Sequence, residues 1–368
     1  MNFLIPFVTS IVISFVLTKY LRLFCYRKKI LHQPRSRDIH TSPLPRIGGV
    51  AIALTFLFIT LVFSTIFFDG LKFGQSTFLG LDKHFLGIIV GGLLIAGSML
   101  YDDIFGLRAW QKLFIQVFAA LVVIASGIGI DHLSNPFGES INLNSLYIPI
   151  FKYNGIVYHF SVWSDLLTLI WVVGMMNVIN FVDGVDGLAG GLSIIAAVTI
   201  FLLSRELGPV QNATAFLSLV LAGSIIGFLF WNFPPAKIFM GDSGSMFIGF
   251  LLGVLPLISG GKLATVFLVL GFPIVDGLFV AISRAVRGLN PVTTPDKTHL
   301  HHRFLKAGFT QRQAVIILYL ISAAFGWVAL RSTTSLKLLA SAVLLIVIIV
   351  LISLLNLLAK RKKHVGEF

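Results

Sequence analysis

The stretch LLTLIWVVGMMNVINFVDGVDGLA, residues 166–189, decides the fold class. Its first part continues an apolar run that is long enough to cross a hydrocarbon core as a helix. Its second part places two amides, Asn177 and Asn180, and two acids, Asp183 and Asp186, at the end of that run. The two amides share a helix face, and glycines loosen the backbone where the carboxylates begin. The stretch predicts a membrane helix that ends in functional polar residues.

The same apolar character extends over nearly the whole chain. Of its 368 residues, 57% are hydrophobic and 12% are charged, whereas about a quarter are charged in a soluble domain. We expect a single all-α, polytopic membrane domain over residues 1–368, with about eleven transmembrane helices. The predicted helices lie near 3–24, 47–68, 85–101, 113–130, 164–181, 187–204, 212–231, 243–260, 263–283, 313–330 and 337–359.

The distribution of basic residues predicts the orientation. No basic residue precedes the first predicted helix and the cluster 27–29 follows it, so we interpret it as a retained helix with its N-terminus outside, not as a signal peptide. Eleven crossings then leave the C-terminus in the cytoplasm. Of the 28 Lys and Arg residues, 21 fall on predicted inner segments and 7 on outer ones. The net charge of +13 is therefore explained mainly by membrane orientation, with attraction for anionic lipid and substrate as a second contribution. No motif supports a nucleic-acid partner.

Two local features carry no predicted chemistry. The single cysteine, Cys25, excludes an intrachain disulfide and argues against a cysteine-based metal site. The longest predicted outer connection, roughly 131–163, has Asn154 and Gly155 between apolar-rich flanks, which indicates a β-hairpin.

Four polar groups fall on the predicted cytoplasmic side. Hydropathy alone defines the predicted helices, and one crossing more or fewer would divide the four groups between the two sides. We therefore infer an active site on the cytoplasmic face. The groups are Asp102 and Asp103 at the end of the third helix, residues 177–189 at the end of the fifth, GDSGS at 241–245 before the eighth, and HLHHR at 299–303 between the ninth and tenth.

Each group also has a structural interpretation. Acids at a helix end can be interfacial residues that reach water, Asp and Ser can cap a helix, and histidines in a basic loop are commonly solvated. Carboxylates and Asn carbonyls are, however, hard oxygen ligands suited to Mg²⁺, with Mn²⁺ as a second candidate. Neighbouring His, Lys and Arg can hold phosphate oxygens. Together the groups favour phosphoryl transfer at a membrane surface.

Five motifs, in this order, resemble those of the polyprenyl-phosphate N-acetylhexosamine-1-phosphate transferases. They are RDIHTSPLPRIGG (37–49), YDDIFGLRAWQKL (101–113), NVINFVDGVDGLA (177–189), NFPPAKIFMGDSGS (232–245) and THLHHRF (298–304). Enzymes of this family join a sugar phosphate from a UDP-sugar to a lipid phosphate carrier. The motif PPAKIFMGDSGS and the His-Leu-His-His-Arg-Phe pattern look like the bacterial GlcNAc-1-phosphate branch, which begins teichoic acid, O-antigen or related polymers. That branch implies UDP-GlcNAc and undecaprenyl phosphate as substrates. The peptidoglycan branch, which uses UDP-MurNAc-pentapeptide, is the alternative.

The resemblance also implies roles for single residues. Asn180 and Asp242 look like the Mg²⁺ ligands, and Lys112 resembles a lysine that meets phosphate near the lipid acceptor. A homodimer in the bacterial cytoplasmic membrane is implied as well. Asp102 and Asp103 are the candidate catalytic acids. The candidate substrate contacts are Asn177, Asp183, Asp186 and Phe239, with Phe239 stacking under uracil, and, on the pyrophosphate side, His299, His301, His302 and Arg303.

The sequence leaves the chemical step open. The acceptor phosphate can attack the donor directly, because a phosphate monoester with a second pKa near ~6 is mostly a dianion at pH 7. Alternatively, Asp102 or Asp103 forms a covalent aspartyl intermediate. Asp276 lies within a predicted helix, where an acid is costly, and we expect it to support the structure or the pocket.

A secondary transporter of an anionic solute is the competing class of function. Transporters place their binding residues near the bilayer midplane, often in interrupted helices of paired repeats. Here the acids lie at one face and the sequence shows no repeat. The pattern therefore favours an enzyme.

Overall fold

A computed structural model describes residues 3–33, 43–66, 77–78, 81–135, 138–153, 156–258, 263–288 and 300–365. Within these ranges the chain is mainly helical, with three small antiparallel hairpins. The helices are α1 (Leu4–Lys28), α2 (Gly49–Ile66), α3 (Lys83–Phe105), α4 (Ala109–Ala125), α5 (Val162–Val182), α6 (Leu188–Glu206), α7 (Asn212–Asn232), α8 (Asp242–Ile258), α9 (Leu263–Val269), α10 (Gly271–Val286), α11 (Leu300–Lys306), α12 (Gln311–Arg331) and α13 (Thr334–Val365). The strands are β1 (Thr77–Phe78), β2 (Leu81–Asp82), β3 (His132–Leu133), β4 (Ile141–Asn142), β5 (Tyr147–Tyr153) and β6 (Ile156–Ser161).

Each of the eleven predicted apolar segments coincides with helical structure. The segment predicted at 263–283 is divided into α9 and α10, which meet at a bend of 78°. Among the described residues, seven helices are long and apolar enough to cross a membrane, or eight if the bent pair is one span. Three shorter apolar helices lie at Gly49–Ser64, Ala109–Ala125 and Asp242–Ile258. The chain is thus an all-α, multi-pass membrane protein, while eleven crossings and the orientation stay predictions.

The predicted β-hairpin is present between α4 and α5. Strands β5 and β6 pair antiparallel, with Tyr147 opposite Ser161 and Tyr153 opposite Ile156. The expected turn residues, Asn154 and Gly155, lie outside the described residues. The pairing leads directly into α5, whose first residue is Val162.

Glycines allow the central helices to approach closely. A Cβ at Gly223 or Gly227 of α7 would press on the backbone of α1, and a Cβ at Gly249 of α8 would press on Met175 and Met176 of α5. Small residues four positions apart permit such contacts in membranes, where dispersion and hydrogen bonds replace the hydrophobic effect as the driving force. The Ser14 hydroxyl also donates to the Ser224 carbonyl across the α1 and α7 interface.

This packing gathers four helix ends at one end of the bundle. Helix α8 packs against α3 and α5, and α4 packs against α3 and α5 as well. The last turns of α3 and α5 therefore lie beside the first turns of α4 and α8. These ends carry three of the four predicted polar groups.

Candidate active site

Three carboxylates form the centre of this end of the bundle. Asp102 and Asp103 come from the last turn of α3, and Asp242 is the first residue of α8. One carboxylate oxygen from each lies within 4.8 Å of the others. Asp102 and Asp242 are buried, with 8% and 6% of their surface exposed. Such a group of buried like charges requires positive charge nearby.

Two cations supply that charge. Lys112 Nζ lies 2.6 Å from Asp102 Oδ2 and 2.7 Å from Asp242 Oδ2, so it bridges α3 and α8. Arg46 Nη2 lies 2.8 Å from Asp242 Oδ1, and its Nε lies 3.8 Å from Asp103 Oδ1. Both oxygens of Asp242 therefore face a cation. Without both cations, the buried charge of Asp242 would be uncompensated.

Asp103 has a different task, since it caps α8. Its two carboxylate oxygens accept the backbone N–H groups of Asp242 and Ser243 at 2.9 and 3.0 Å. These are among the N–H groups that a helix start leaves without an internal partner. Capping by a side chain from another helix leaves the Asp242 carboxylate available for the cations. Gly241 makes the approach feasible: its φ is +76°, and a Cβ there would collide with the Arg46 carbonyl and with Asp103.

A loop between α7 and α8 runs beside the segment that carries Arg46. Phe239 N donates to Pro45 O at 2.8 Å, and Gly48 N donates back to Phe239 O at 3.0 Å. Asp186 is buried, and its Oδ2 accepts the Ala236 N–H of this loop at 2.9 Å. Asp186 thereby orders the loop on which Phe239, the predicted uracil contact, is half-buried. Both remain predicted nucleotide contacts.

The two asparagines of α5 have distinct surroundings. Asn180 Nδ2 donates to Ser245 Oγ at 2.9 Å, which leaves its Oδ1 without a hydrogen bond from the described residues. Asn177 Nδ2 donates to Gln116 Oε1 and to Val173 O, both at 2.8 Å. The role of Asn180 as a metal ligand stays a prediction. Asn177 connects α5 to α4, and its predicted substrate contact is neither supported nor opposed.

Asp183 lies directly after α5 and faces the same cluster. It is half-buried, but its surroundings are dense enough that loss of hydration raises its pKa well above the usual range, although Arg46 acts in the opposite direction. Burial lowers the pKa of Arg46, but the carboxylates of Asp242 and Asp103 outweigh that effect and raise it. Arg46 is thus a permanent positive charge at the edge of the site.

The described part of the histidine motif lies on α11. His299 is outside the described residues, and of His301 the structure describes the backbone alone. His302 is half-buried, and Arg303 Nη1 donates to Asn356 Oδ1 of α13 at 3.0 Å. Their predicted contacts with the donor therefore stay predictions. Asp276 has a clear role, because its buried Oδ1 accepts the Leu300 N–H at the start of α11, at 2.9 Å.

Several functional neighbours were not predicted from the sequence. Arg46 stood within the RDIHTSPLPRIGG motif, but nothing in the motif showed that its partner would be Asp242, 196 positions away. Tyr319 and Arg312 of α12 hold the two loops near the site. The Tyr319 hydroxyl donates to Gly187 O, and Arg312 Nε donates to Pro234 O at 2.8 Å.

The donor set fits a hard divalent cation. The cluster offers carboxylate oxygens from α3 and α8. Asn180, the second predicted ligand, lies on α5 and is hydrogen-bonded to Ser245 of α8. No sulfur or imidazole ligand belongs to this group of described residues. Oxygen ligands of this type suit Mg²⁺ and Mn²⁺. The same carboxylates can therefore hold either the two protein cations or a metal ion.

The fold and the site define a class: a multi-pass membrane protein with a buried centre of carboxylates and cations at one end of its helices. The model of glycosyl transferase family 4 matches residues 85–260. The chain is 33% identical over 328 residues to the "Probable undecaprenyl-phosphate N-acetylglucosaminyl 1-phosphate transferase" of Bacillus subtilis. This alignment covers 87% of this chain and 82% of the relative. It is 34% identical over 335 residues to the decaprenyl-phosphate N-acetylglucosaminephosphotransferase of Mycolicibacterium smegmatis, and this alignment covers 85% of this chain and 77% of the relative.

A phospho-N-acetylmuramoyl-pentapeptide-transferase of Lactobacillus gasseri is 31% identical over 337 residues, covering 86% of this chain and 95% of the relative. The chain belongs to glycosyl transferase family 4. The family resemblance of the five motifs is thereby confirmed.

Proposed function

We propose that the protein transfers GlcNAc-1-phosphate from UDP-GlcNAc to undecaprenyl phosphate, giving GlcNAc-diphosphoundecaprenol and UMP. The reaction is the first membrane step of a cell-envelope polymer pathway, at the cytoplasmic face of a bacterial inner membrane. Family membership and the names of the Bacillus and Mycolicibacterium relatives support this activity. The single observation that carries it is Asp242, a buried carboxylate held between Arg46 and Lys112 beside two further acids.

Asp242 and Asn180 are the proposed holders of Mg²⁺. The amide nitrogen of Asn180 is bound to Ser245 of α8, and Asp103 caps the start of α8, the turn that carries Asp242. When bound, Mg²⁺ supplies positive charge that neutralises the diphosphate oxygens and the leaving UMP. The protein's contribution is to hold these ligands in place before the substrate arrives.

Lys112 is the proposed contact of the acceptor phosphate. Its ammonium group has three N–H donors, and two of them point at Asp102 and Asp242. The third can bind a phosphate oxygen of the lipid. An oxygen of the dianionic acceptor then attacks the β-phosphorus of UDP-GlcNAc. The bond between that phosphorus and the bridging oxygen breaks, and UMP leaves with the bonding electrons.

The surroundings of the two α3 acids favour direct attack over an aspartyl intermediate. Both oxygens of Asp103 accept backbone N–H groups of α8. Asp102 Oδ1 accepts the Leu107 N–H at 2.6 Å, while its Oδ2 pairs with Lys112. A carboxylate whose lone pairs are bound in this way is a weak nucleophile. We assign Asp102 to orienting Lys112, and Asp103 to orienting Asp242.

The choice of sugar is tested by competition among donors. Purified protein in nanodiscs, with undecaprenyl phosphate and Mg²⁺, is offered UDP-GlcNAc, UDP-GalNAc and UDP-MurNAc-pentapeptide together, and the lipid products are identified by mass. We expect GlcNAc-diphosphoundecaprenol as the main product. A MurNAc-pentapeptide product would move the chain to the peptidoglycan branch. Release of no UMP from any donor would contradict the enzyme and favour the transporter class.

A further inference from the structure

Arg46 pairs with Asp242, but no contact with a substrate has been assigned to it so far. We propose that Arg46 is a phosphate-binding residue for the nucleoside diphosphate donor: it pairs with Asp242 in the structure and exchanges that partner for a phosphoryl oxygen when a divalent cation binds Asp242. The inference rests on the proposed function. It assigns to the donor site a residue for which neither the motif nor the relatives indicated a role.

The first argument is the occupancy of Asp242. Arg46 lies 2.8 Å from Oδ1 and Lys112 lies 2.7 Å from Oδ2, so both oxygens are engaged by positive charge. A divalent cation at the same carboxylate repels both, because like charges at contact distance interact strongly where water is scarce. Binding of the metal therefore releases at least one of these cations. The released group stands beside the metal, where the anionic diphosphate has to bind.

The second argument identifies which substrate Arg46 meets. Arg46 follows Pro45, whose carbonyl accepts the Phe239 N–H, so it adjoins the loop of the predicted uracil contact. Lys112 comes from α4 and pairs with Asp102, on the other side of Asp242. The two cations thus approach the metal position from different sides. Arg46 lies on the nucleotide side, and Lys112 remains for the lipid phosphate.

The third argument is that Arg46 can move while its backbone stays fixed. Gly48 N donates to Phe239 O and Gly49 N donates to Met240 O at 2.7 Å, and Gly241 packs against the Arg46 carbonyl. The side chain, in contrast, is 38% exposed. A guanidinium also presents paired N–H donors that match two phosphate oxygens, which a lysine cannot do. The residue type and the placement agree with binding of a diphosphate.

Calorimetry on the full-length protein in nanodiscs tests the inference, with UDP, UMP and Mn²⁺ as probes. Arg46→Gln removes the charge, Arg46→Lys keeps the charge without the paired donors, and Arg331→Gln is a charge-matched control on an exposed arginine at the end of α12. With saturating Mg²⁺, Arg46→Gln should raise the Kd of UDP by about tenfold or more and that of UMP by less. Arg46→Lys should fall between wild type and Arg46→Gln.

Without nucleotide, Arg46→Gln should bind Mn²⁺ more tightly than wild type, because a competing cation is gone. An unchanged Kd for UDP together with tighter Mn²⁺ binding would show that Arg46 is a counter-ion alone, which overturns the inference. An increased KM for undecaprenyl phosphate with an unchanged Kd for UDP would assign Arg46 to the acceptor and overturn it as well. If Arg46→Gln does not fold, Arg46→Lys decides by the same criteria. Failure of the wild-type protein to bind UDP would contradict the proposed function instead.

Discussion

The carboxylate cluster and helix α11 are held in place by different forces. In the cluster, Asp242 is bound by cations from two separate segments, Arg46 and Lys112. Helix α11 is attached through the Leu300 backbone to Asp276 and through buried apolar side chains such as Phe304. Charges therefore orient Asp242 at the reacting centre, whereas a backbone hydrogen bond and buried apolar packing contribute to the position of α11. Removing a charge should therefore affect the rate, and removing the α11 contact should affect donor binding.

Asp242→Asn should have the largest effect. The substitution keeps the size of the side chain but removes the charge that balances the metal and two cations. We expect a folded, membrane-inserted variant whose rate of UMP release falls at least about a hundredfold, a loss of about 2.7 kcal/mol of transition-state stabilisation. Raising Mg²⁺ should restore part of the rate. Asp131→Asn, at an exposed position before β3, is the matched control.

Near-normal activity of Asp242→Asn at limiting Mg²⁺ would contradict the assignment of Asp242 as a ligand. Loss of the folded protein would indicate that the two ion pairs serve mainly to hold α8 in place. Circular dichroism and the elution volume of the purified variant distinguish these outcomes.

Lys112→Ala should have the second largest effect. Its charge acts on the acceptor phosphate, so turnover should fall by about thirtyfold, or about 2 kcal/mol, while the Kd of UDP stays within about twofold of wild type. Turnover and UDP binding are measured on the same preparation. An equal loss of nucleotide affinity would refute the assignment and would place Lys112 on the donor side with Arg46.

The helices and the gathering of the acids at one end of the bundle could be predicted from the sequence. The partners of the individual acids could not, for physical reasons. Hydropathy is a local property, so each apolar run coincided with a helix. The bend between α9 and α10 could not be predicted in this way, because the residues around it are also apolar. Counting crossings placed Asp102, Asp103, Asn180 and Asp242 at one end. Which acid caps α8 and which cation meets Asp242 depend on helix packing between residues more than a hundred positions apart, and no local pattern encodes that.

Asp276→Ala should act on α11 and have a smaller effect. It leaves the buried Leu300 N–H without its Asp276 acceptor, which costs about 1 to 3 kcal/mol locally. We expect faster hydrogen exchange in α11 and a KM for UDP-GlcNAc that rises by roughly fivefold, with kcat little changed. Asp276→Asn retains an acceptor oxygen and is the matched control. If hydrogen exchange in α11 becomes faster while the KM for UDP-GlcNAc is unchanged, α11 does not contribute to donor binding. The proposed difference between α11 and the carboxylate cluster would then be wrong.

Tyr319→Phe should have the smallest effect. It removes the hydroxyl that donates to Gly187 O but keeps the ring that packs against Gly191. One neutral hydrogen bond contributes about 1 kcal/mol, so the Tm should fall slightly and the KM for UDP-GlcNAc should rise less than about threefold. A loss as large as that of Lys112→Ala would mean that the loop after α5 depends on α12 as strongly as the cluster depends on its charges.

The location of the metal is the most direct test of the claim that Asp242 organises the centre. Diffraction from crystals grown with Mn²⁺ and UDP, recorded at a wavelength where manganese scatters anomalously, would show it. We predict an anomalous peak about 2 Å from an Asp242 carboxylate oxygen, with Asn180 in reach and with Arg46 turned towards the diphosphate. A peak elsewhere, or bound UDP with no metal at Asp242, would contradict the account.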